Sequence, residues 1–251
     1  MAKDSKDISV KSRLKEFEQT HQDNIVIQWD PLVVFRHPHY QKNKVALVSG
    51  GGSGHEPLHA GFVGEGMLDA ACPGEIFTSP SPDQITSAIH QSDTGKGVLL
   101  IVKNYQGDRM NFEIAAELSE SDTLMVLVND DATQSDRDSA RGLAGVVMVE
   151  KMLGAAAERG LTLEALAELG DDIVSRTRTI GVAFSTCSFR KMAGSLESHE
   201  VEYGVGIHGE LGISRIPRSP INVLIPKMID DILQSLEAVS SQPILMVNGL
   251  G

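Results

Sequence analysis

Lys44 to His59 reads KVALVSGGGSGHEPLH, and the rest of the chain is organised around it. The apolar residues Val45, Ala46, Leu47 and Val48 stop at Ser49, and Gly50, Gly51, Gly52, Ser53 and Gly54 lead into His55, Glu56 and Pro57. A short run bounded by glycines reads as a buried strand. Four glycines within Gly50–Gly54 allow positive φ and let backbone N–H groups approach a bound oxygen closely. Pro57 suits the first turn of a helix, which sets His55 at a strand–loop–helix junction. Open α/β sheets bind ligands at that carboxyl edge, so the loop is the expected site. It is not a phosphate-binding Walker loop, because no Gly-Lys-Ser/Thr closes it, and Gly50, Gly52 and Ser53 break the dinucleotide spacing.

Composition narrows the classes of function. At 251 residues, with 41% apolar and 22% charged residues, the chain can bury a sizeable core and form one large or two modest domains. A net charge of −12 argues against nucleic acid and against an anionic membrane surface as partners. The apolar runs are far shorter than a membrane span, and MAKDSKDISVKS has no signal-like apolar core. Cys72 and Cys187 make neither a disulfide framework nor a metal-ligand pattern. The cytoplasm is the expected compartment.

Working outward, residues 1–24 are polar, a helix or arm ahead of the core. Asn24–Phe35 reads as strand, turn, strand about Asp30-Pro31. Leu58–Ala71 is expected to be a glycine-interrupted helix, Pro73–Pro82 a turn-rich segment and Asp83–Gln91 a helix capped by Ser81 or Asp83. Gly97–Val102 and Thr123–Val128 are buried strands, with a helix over Met110–Leu118 between them. Gly142–Arg159 is a helix closed by Gly160, and Thr162 caps the next. Thr179–Phe184 opens another strand, Glu200–His208 alternates, Asn222–Leu236 is helical and Pro243–Val247 is a last strand. Strands separated by helices imply an α/β fold with a parallel sheet. Two domains are expected: residues 1–178, carrying the glycine loop, and a smaller, incomplete α/β (α+β) unit at 179–251.

The strings GGGSGHEP, GMLDAACPGEIFTSPSPDQI (Gly66–Ile85), KNYQGD (Lys103–Asp108) and GVGIHGE (Gly204–Glu210), in that order, resemble the substrate-binding K subunit of the dihydroxyacetone kinase family. The resemblance implies that His208 anchors dihydroxyacetone as a covalent hemiaminal, a bond that glycerol, lacking a carbonyl, cannot form. Neutral imidazole is a competent nucleophile and ketones accept reversible addition. It further implies that Asp108 and His55 flank the substrate. Asp108 accepts a hydroxyl proton or His55 handles it, and the sequence leaves open which is decisive. Gly52 and Lys103 resemble contacts to substrate oxygens, with Gly51 and Ser53 as neighbours.

The sequence offers no phosphate loop, kinase lysine set or carboxylate cluster for Mg²⁺. The resemblance therefore places ATP or ADP with Mg²⁺ on a separate nucleotide-binding L subunit, recharged in bacteria by a phosphotransferase-system protein, and implies a homodimer. No cofactor and no metal is expected in this chain. The family string continues past Asn248-Gly249-Leu250-Gly251, so the resemblance is to its first part, which leaves two other readings: a dihydroxyacetone-sensing coactivator of transcription, or an inactive remnant.

Overall fold

The computed structural model describes residues 9–185 and 196–249. Helix α1 (Val10–His21), capped by the Ser9 hydroxyl, precedes a hairpin of β1 (Ile25–Trp29) and β2 (Leu32–Arg36). Then follow β3 (Ala46–Ser53), β4 (Ala70–Ile76), α2 (Pro82–Ser92), β5 (Val98–Lys103), α3 (Gln106–Leu118) and β6 (Thr123–Val128). Helices α4 (Val146–Glu158) and α5 (Leu163–Ser175) complete the first layer set. The six strands form one sheet in the order β1-β2-β4-β3-β5-β6, parallel from β4 to β6 and antiparallel in the hairpin edge.

The central strands are buried on both faces, which is why they read as unbroken apolar runs. Along β5, Val98, Leu100 and Val102 join Ile85, Ile89 and Phe112 of α2 and α3, whereas Leu99 and Ile101 join Leu153 and Leu166 of α4 and α5. The period-2 alternation of a strand thus feeds two helical layers, one on each face. A second, antiparallel sheet of β7 (Val182–Ala183), β8 (Glu200–Tyr203) and β9 (Ser214–Pro217) is backed by α6 (Ile221–Gln234). Ile180, Tyr203 and Leu224 make its small core. This is the two-domain α/β architecture that the sequence implies.

Four local expectations are corrected. No α-helix follows Pro57: residues 58–69 hold only a 3₁₀ turn, Ala60–Phe62, because Gly61, Gly64 and Gly66 penalise a helix while Leu58, Val63 and Leu68 each plug separately into the core. Pro73 lies in strand β4 rather than in a turn. The neighbouring β2 pairs only with Ala70 and Ala71, so at Pro73 that flank of β4 is an edge and a missing N–H is tolerated. The Glu200–His208 stretch stops being a strand at Tyr203, and Gly204, with φ +73, turns the chain into a loop that carries His208. Pro243–Val247 makes no strand. Among the described residues nothing pairs with it, and Ile244, Leu245 and Val247 are 74%, 73% and 89% exposed. Cys187 lies outside the described residues, and Cys72 is a buried free thiol on the α2–α3 side of the core.

Candidate active site

The carboxyl ends of β3 and β5 deliver the glycine loop and Lys103 side by side. Lys103 is fully buried, and its Nζ donates to the Gly50 carbonyl at 3.0 Å. A Cβ on Gly51 would lie 2.3 Å from that Nζ and 3.3 Å from Asp108 Oδ2, and one on Gly52 would lie 2.7 Å from the Thr78 backbone nitrogen. The loop is therefore bare backbone because its neighbours leave no room for a side chain. Ser53 is committed elsewhere, its hydroxyl donating to the Gly74 carbonyl at 2.6 Å.

Asp108 sits in the first turn of α3 and is buried, with Oδ2 3.7 Å from Lys103 Nζ. The Ser79 hydroxyl donates to its Oδ1, which leaves Oδ2 with no hydrogen-bond partner. One carboxylate oxygen is held and the other is free to take a proton. Burial pulls the Lys103 ammonium below its ordinary range, although Asp108 and Glu150 favour its charge.

His208 reaches this site from the other sheet. Arg141 bridges the two parts: its Nε meets Asp131 Oδ2 at 2.7 Å, and its Nη2 donates to the Gly204 carbonyl at 2.9 Å. Ile207 plugs the same loop into the main core. His208 then stands with Nε2 3.0 Å from His55 Nε2, and its ring packs edge-on against Tyr105 at a centroid distance of 4.5 Å. Glu210 accepts from the His208 backbone N–H at 2.8 Å, and its other oxygen lies 3.7 Å from His208 Nδ1. Burial works to raise the Glu210 carboxyl, but its contacts with His208 outweigh burial and hold it at about 2, ionised.

His55 is buried, and desolvation followed by the nearby Lys103 charge depresses its ring to about 2, so it is neutral. Its Nδ1 has no partner. A carboxylate beside His208 Nδ1 favours a proton there, which leaves His208 Nε2 as the acceptor and His55 Nε2–H as the donor.

Beneath the loop, His59 connects the two halves. Lys103 Nζ lies 2.7 Å from His59 Nε2, and His59 Nδ1 lies 2.6 Å from Glu150 Oε1 and 3.2 Å from Ser49 Oγ. Burial lowers the His59 ring well below its usual range and pushes the Glu150 carboxyl up to about 8. His55, His208, Lys103, Asp108, Gly51 and Gly52 thus lie together in the structure.

Residues 15–251 match the Dak1 domain. The chain belongs to the Dak1 family. Among its relatives, the PEP-dependent dihydroxyacetone kinase, dihydroxyacetone-binding subunit DhaK, of Escherichia coli (strain K12) is 47% identical over 219 residues, covering 84% of this chain and 62% of that protein. The chain thus spans under two thirds of that relative's length. The crystal structure of the dihydroxyacetone kinase from C. freundii in complex with AMP-PNP and Mg²⁺ superposes with a TM-score of 0.83 at 38% identity, over 90% of this chain and 44% of that one. The dihydroxyacetone kinase operon co-activator Dha-DhaQ superposes with a TM-score of 0.84 at 29% identity, over 90% and 72%.

Several residues of this Dak1 site carry no individual sequence signal. Ser79 and Tyr105 sit inside the quoted strings, but nothing marks them apart from their neighbours. Glu150 could have been found: it is a lone acid on the apolar face of α4, between Val149 and Leu153, where an unpaired charge is expensive. Its partner His59 ends the very stretch that decides the fold. Among the described residues no helix is long and apolar enough to cross a membrane.

Proposed function

We propose that this chain is the dihydroxyacetone-binding unit of a dihydroxyacetone kinase, holding its substrate covalently on His208 while a partner nucleotide-binding subunit supplies the phosphoryl group. The observation that carries this reading is the meeting of His208 with His55 above a floor of Gly51, Lys103 and Asp108. The names of the relatives support the substrate. In the proposed cycle the His208 Nε2 lone pair attacks the ketone carbon, and the C–N bond forms as the C=O π bond opens. The carbonyl oxygen takes the proton from His55 Nε2, and the proton released from His208 Nδ1 past Glu210 is returned to His55 through solvent, leaving a neutral hemiaminal, a neutral His55 and an ionised Glu210. No group leaves, so the adduct retains every atom of the substrate.

Asp108 Oδ2 then accepts the proton of the terminal hydroxyl as that oxygen attacks the phosphoryl donor. Lys103, beside it, steadies the substrate oxygens, and the backbone at Gly51 and Gly52 gives the small polyol its close fit. ATP or ADP with Mg²⁺ belongs, in this reading, to the L subunit, recharged by a phosphotransferase-system protein. The chain acts in the cytoplasm as a homodimer, with its second domain beginning at residue 179. The test is phosphorylation of dihydroxyacetone by the purified chain plus a nucleotide-loaded L subunit. Dihydroxyacetone phosphate formed only when both are present supports the reading.

The superposition on Dha-DhaQ favours one alternative, a dihydroxyacetone-responsive coactivator. It predicts substrate uptake with no phosphoryl transfer in the same assay.

A further inference from the structure

Lys103 is completely buried, and a buried ammonium points wherever its hydrogen-bond acceptors direct it. Two of its three protons have identified acceptors, His59 Nε2 at 2.7 Å and Gly50 O at 3.0 Å. For His59 to accept at Nε2 its ring proton must be on Nδ1, and the surroundings of Nδ1 require this. Ser49 Oγ donates to the Ile101 carbonyl at 2.7 Å, so its single hydrogen is committed and it can only accept from His59. Glu150 Oε1, 2.6 Å away, is the second acceptor for the same proton, because the carboxyl proton that burial favours has its place on the unpartnered Oε2 and leaves Oε1 bare. The opposite tautomer would set the His59 Nε2–H against a Lys103 N–H, two donors face to face.

We propose that His59, held in its Nδ1–H tautomer by Glu150 and Ser49, is a positioning residue for Lys103. With His59 and Gly50 each taking one proton, the third is left for the side occupied by Asp108, whose Oδ2 is 3.7 Å away and otherwise unpartnered. Glu150, on α4, and Ser49, on β3, hydrogen-bond to this ring and the ring to Lys103, so a chain of hydrogen bonds through one imidazole links α4 to the site. The catalytic half of the inference rests on the proposed role of Lys103 at the substrate oxygens; the tautomer does not.

Two measurements test it. Long-range ¹H–¹⁵N NMR of the His59 ring in the ligand-free protein reads the tautomer without reference to any substrate, and the expected state has protonated Nδ1 and bare Nε2. Steady-state kinetics with the L subunit then compare His59→Phe, which keeps a ring of similar shape but no acceptor, with His59→Gln, whose amide oxygen reaches the position of Nε2. His59→Phe is expected to lose about 10- to 100-fold in kcat, the scale of one lost hydrogen bond to a charged group, with little change in KM. His59→Gln should recover most of that loss, which a purely structural role would not predict. An Nε2–H tautomer in the native protein overturns the proposal, as does a folded His59→Phe that turns over at the native rate. If the native protein forms no product, the kinase reading falls and the tautomer alone decides this one.

Discussion

His55 and His208, 153 positions apart, meet Nε2 to Nε2 at 3.0 Å. One of the two rings must donate and the other accept, so the pair is poised with a lone pair and a proton side by side. Those are the two things a carbonyl needs for addition: a nucleophile at carbon and an acid at oxygen. Because the two histidines come from different sheets, any change in how the sheets meet is felt at this contact.

The Arg141 bridge is what sets that meeting. Arg141→Ala removes its hydrogen bonds to Asp131 and Gly204 while leaving the six-stranded sheet untouched. Uptake of dihydroxyacetone is expected to weaken by about 10-fold, the scale of one charge-assisted hydrogen bond, with an unchanged far-UV circular dichroism spectrum. Isothermal titration would read the first and spectroscopy the second.

Asp108 offers one held oxygen and one free one. Asp108→Asn keeps the shape and the Ser79 contact but cannot take a proton. Turnover with the L subunit should fall by about 10²- to 10⁴-fold, the ordinary worth of a general base, while the covalent adduct still forms. Loss of the adduct together with turnover would move Asp108 from the phosphoryl step to the binding step.

Gly51 is fixed by crowding. Gly51→Ala places a methyl group 2.3 Å from Lys103 Nζ, so the ammonium must leave its bonds to Gly50 and His59. We expect a destabilisation of about 1–3 kcal/mol, typical of overpacking a buried site, accompanied by loss of turnover. Thermal melting and the coupled assay check the two effects separately.

The buried groups also predict how stability varies with pH. Burial raises the Glu150 carboxyl to about 8 from an unfolded value near 4.5, so the native state holds a proton that the unfolded chain has already lost. Stability from this group therefore falls as pH climbs from about 4.5 to about 8. His55 runs the other way. Its folded value, about 2, is below the unfolded 6.5, so stability is lost as pH drops below 6.5. Melting temperatures of Glu150→Gln should show a flatter alkaline decline than the native chain between pH 5 and 8. The acid limb below 6.5 should keep the His55 contribution in both proteins. Identical alkaline slopes would mean that Glu150 titrates normally.

Much of this architecture was legible in sequence because the physics that made it is local or repetitive. Gly97–Val102 reads as a strand and Val98–Lys103 forms one, since an apolar run buried on two faces has few other options. The Ser81 cap of α2 and the Thr162 cap of α5 sit where side-chain oxygens meet free N–H groups. What failed depended on partners distant in sequence. Pro73 looked like a turn because its strand neighbour runs out only in three dimensions, and Pro243–Val247 looked like a strand because composition cannot say whether a ladder exists for it. In the site, His208 and Asp108 were readable through the strings around them. The His59–Glu150 contact, across 91 positions, was not.

The most direct measurement is the intact mass of the native protein and of His208→Ala, each with and without dihydroxyacetone. The account predicts that the native chain gains one whole substrate mass, with no loss of water, and that His208→Ala gains nothing. Equal gain in both proteins would show that the anchor is another residue. A native chain that binds dihydroxyacetone by calorimetry yet never gains mass would contradict the covalent claim itself.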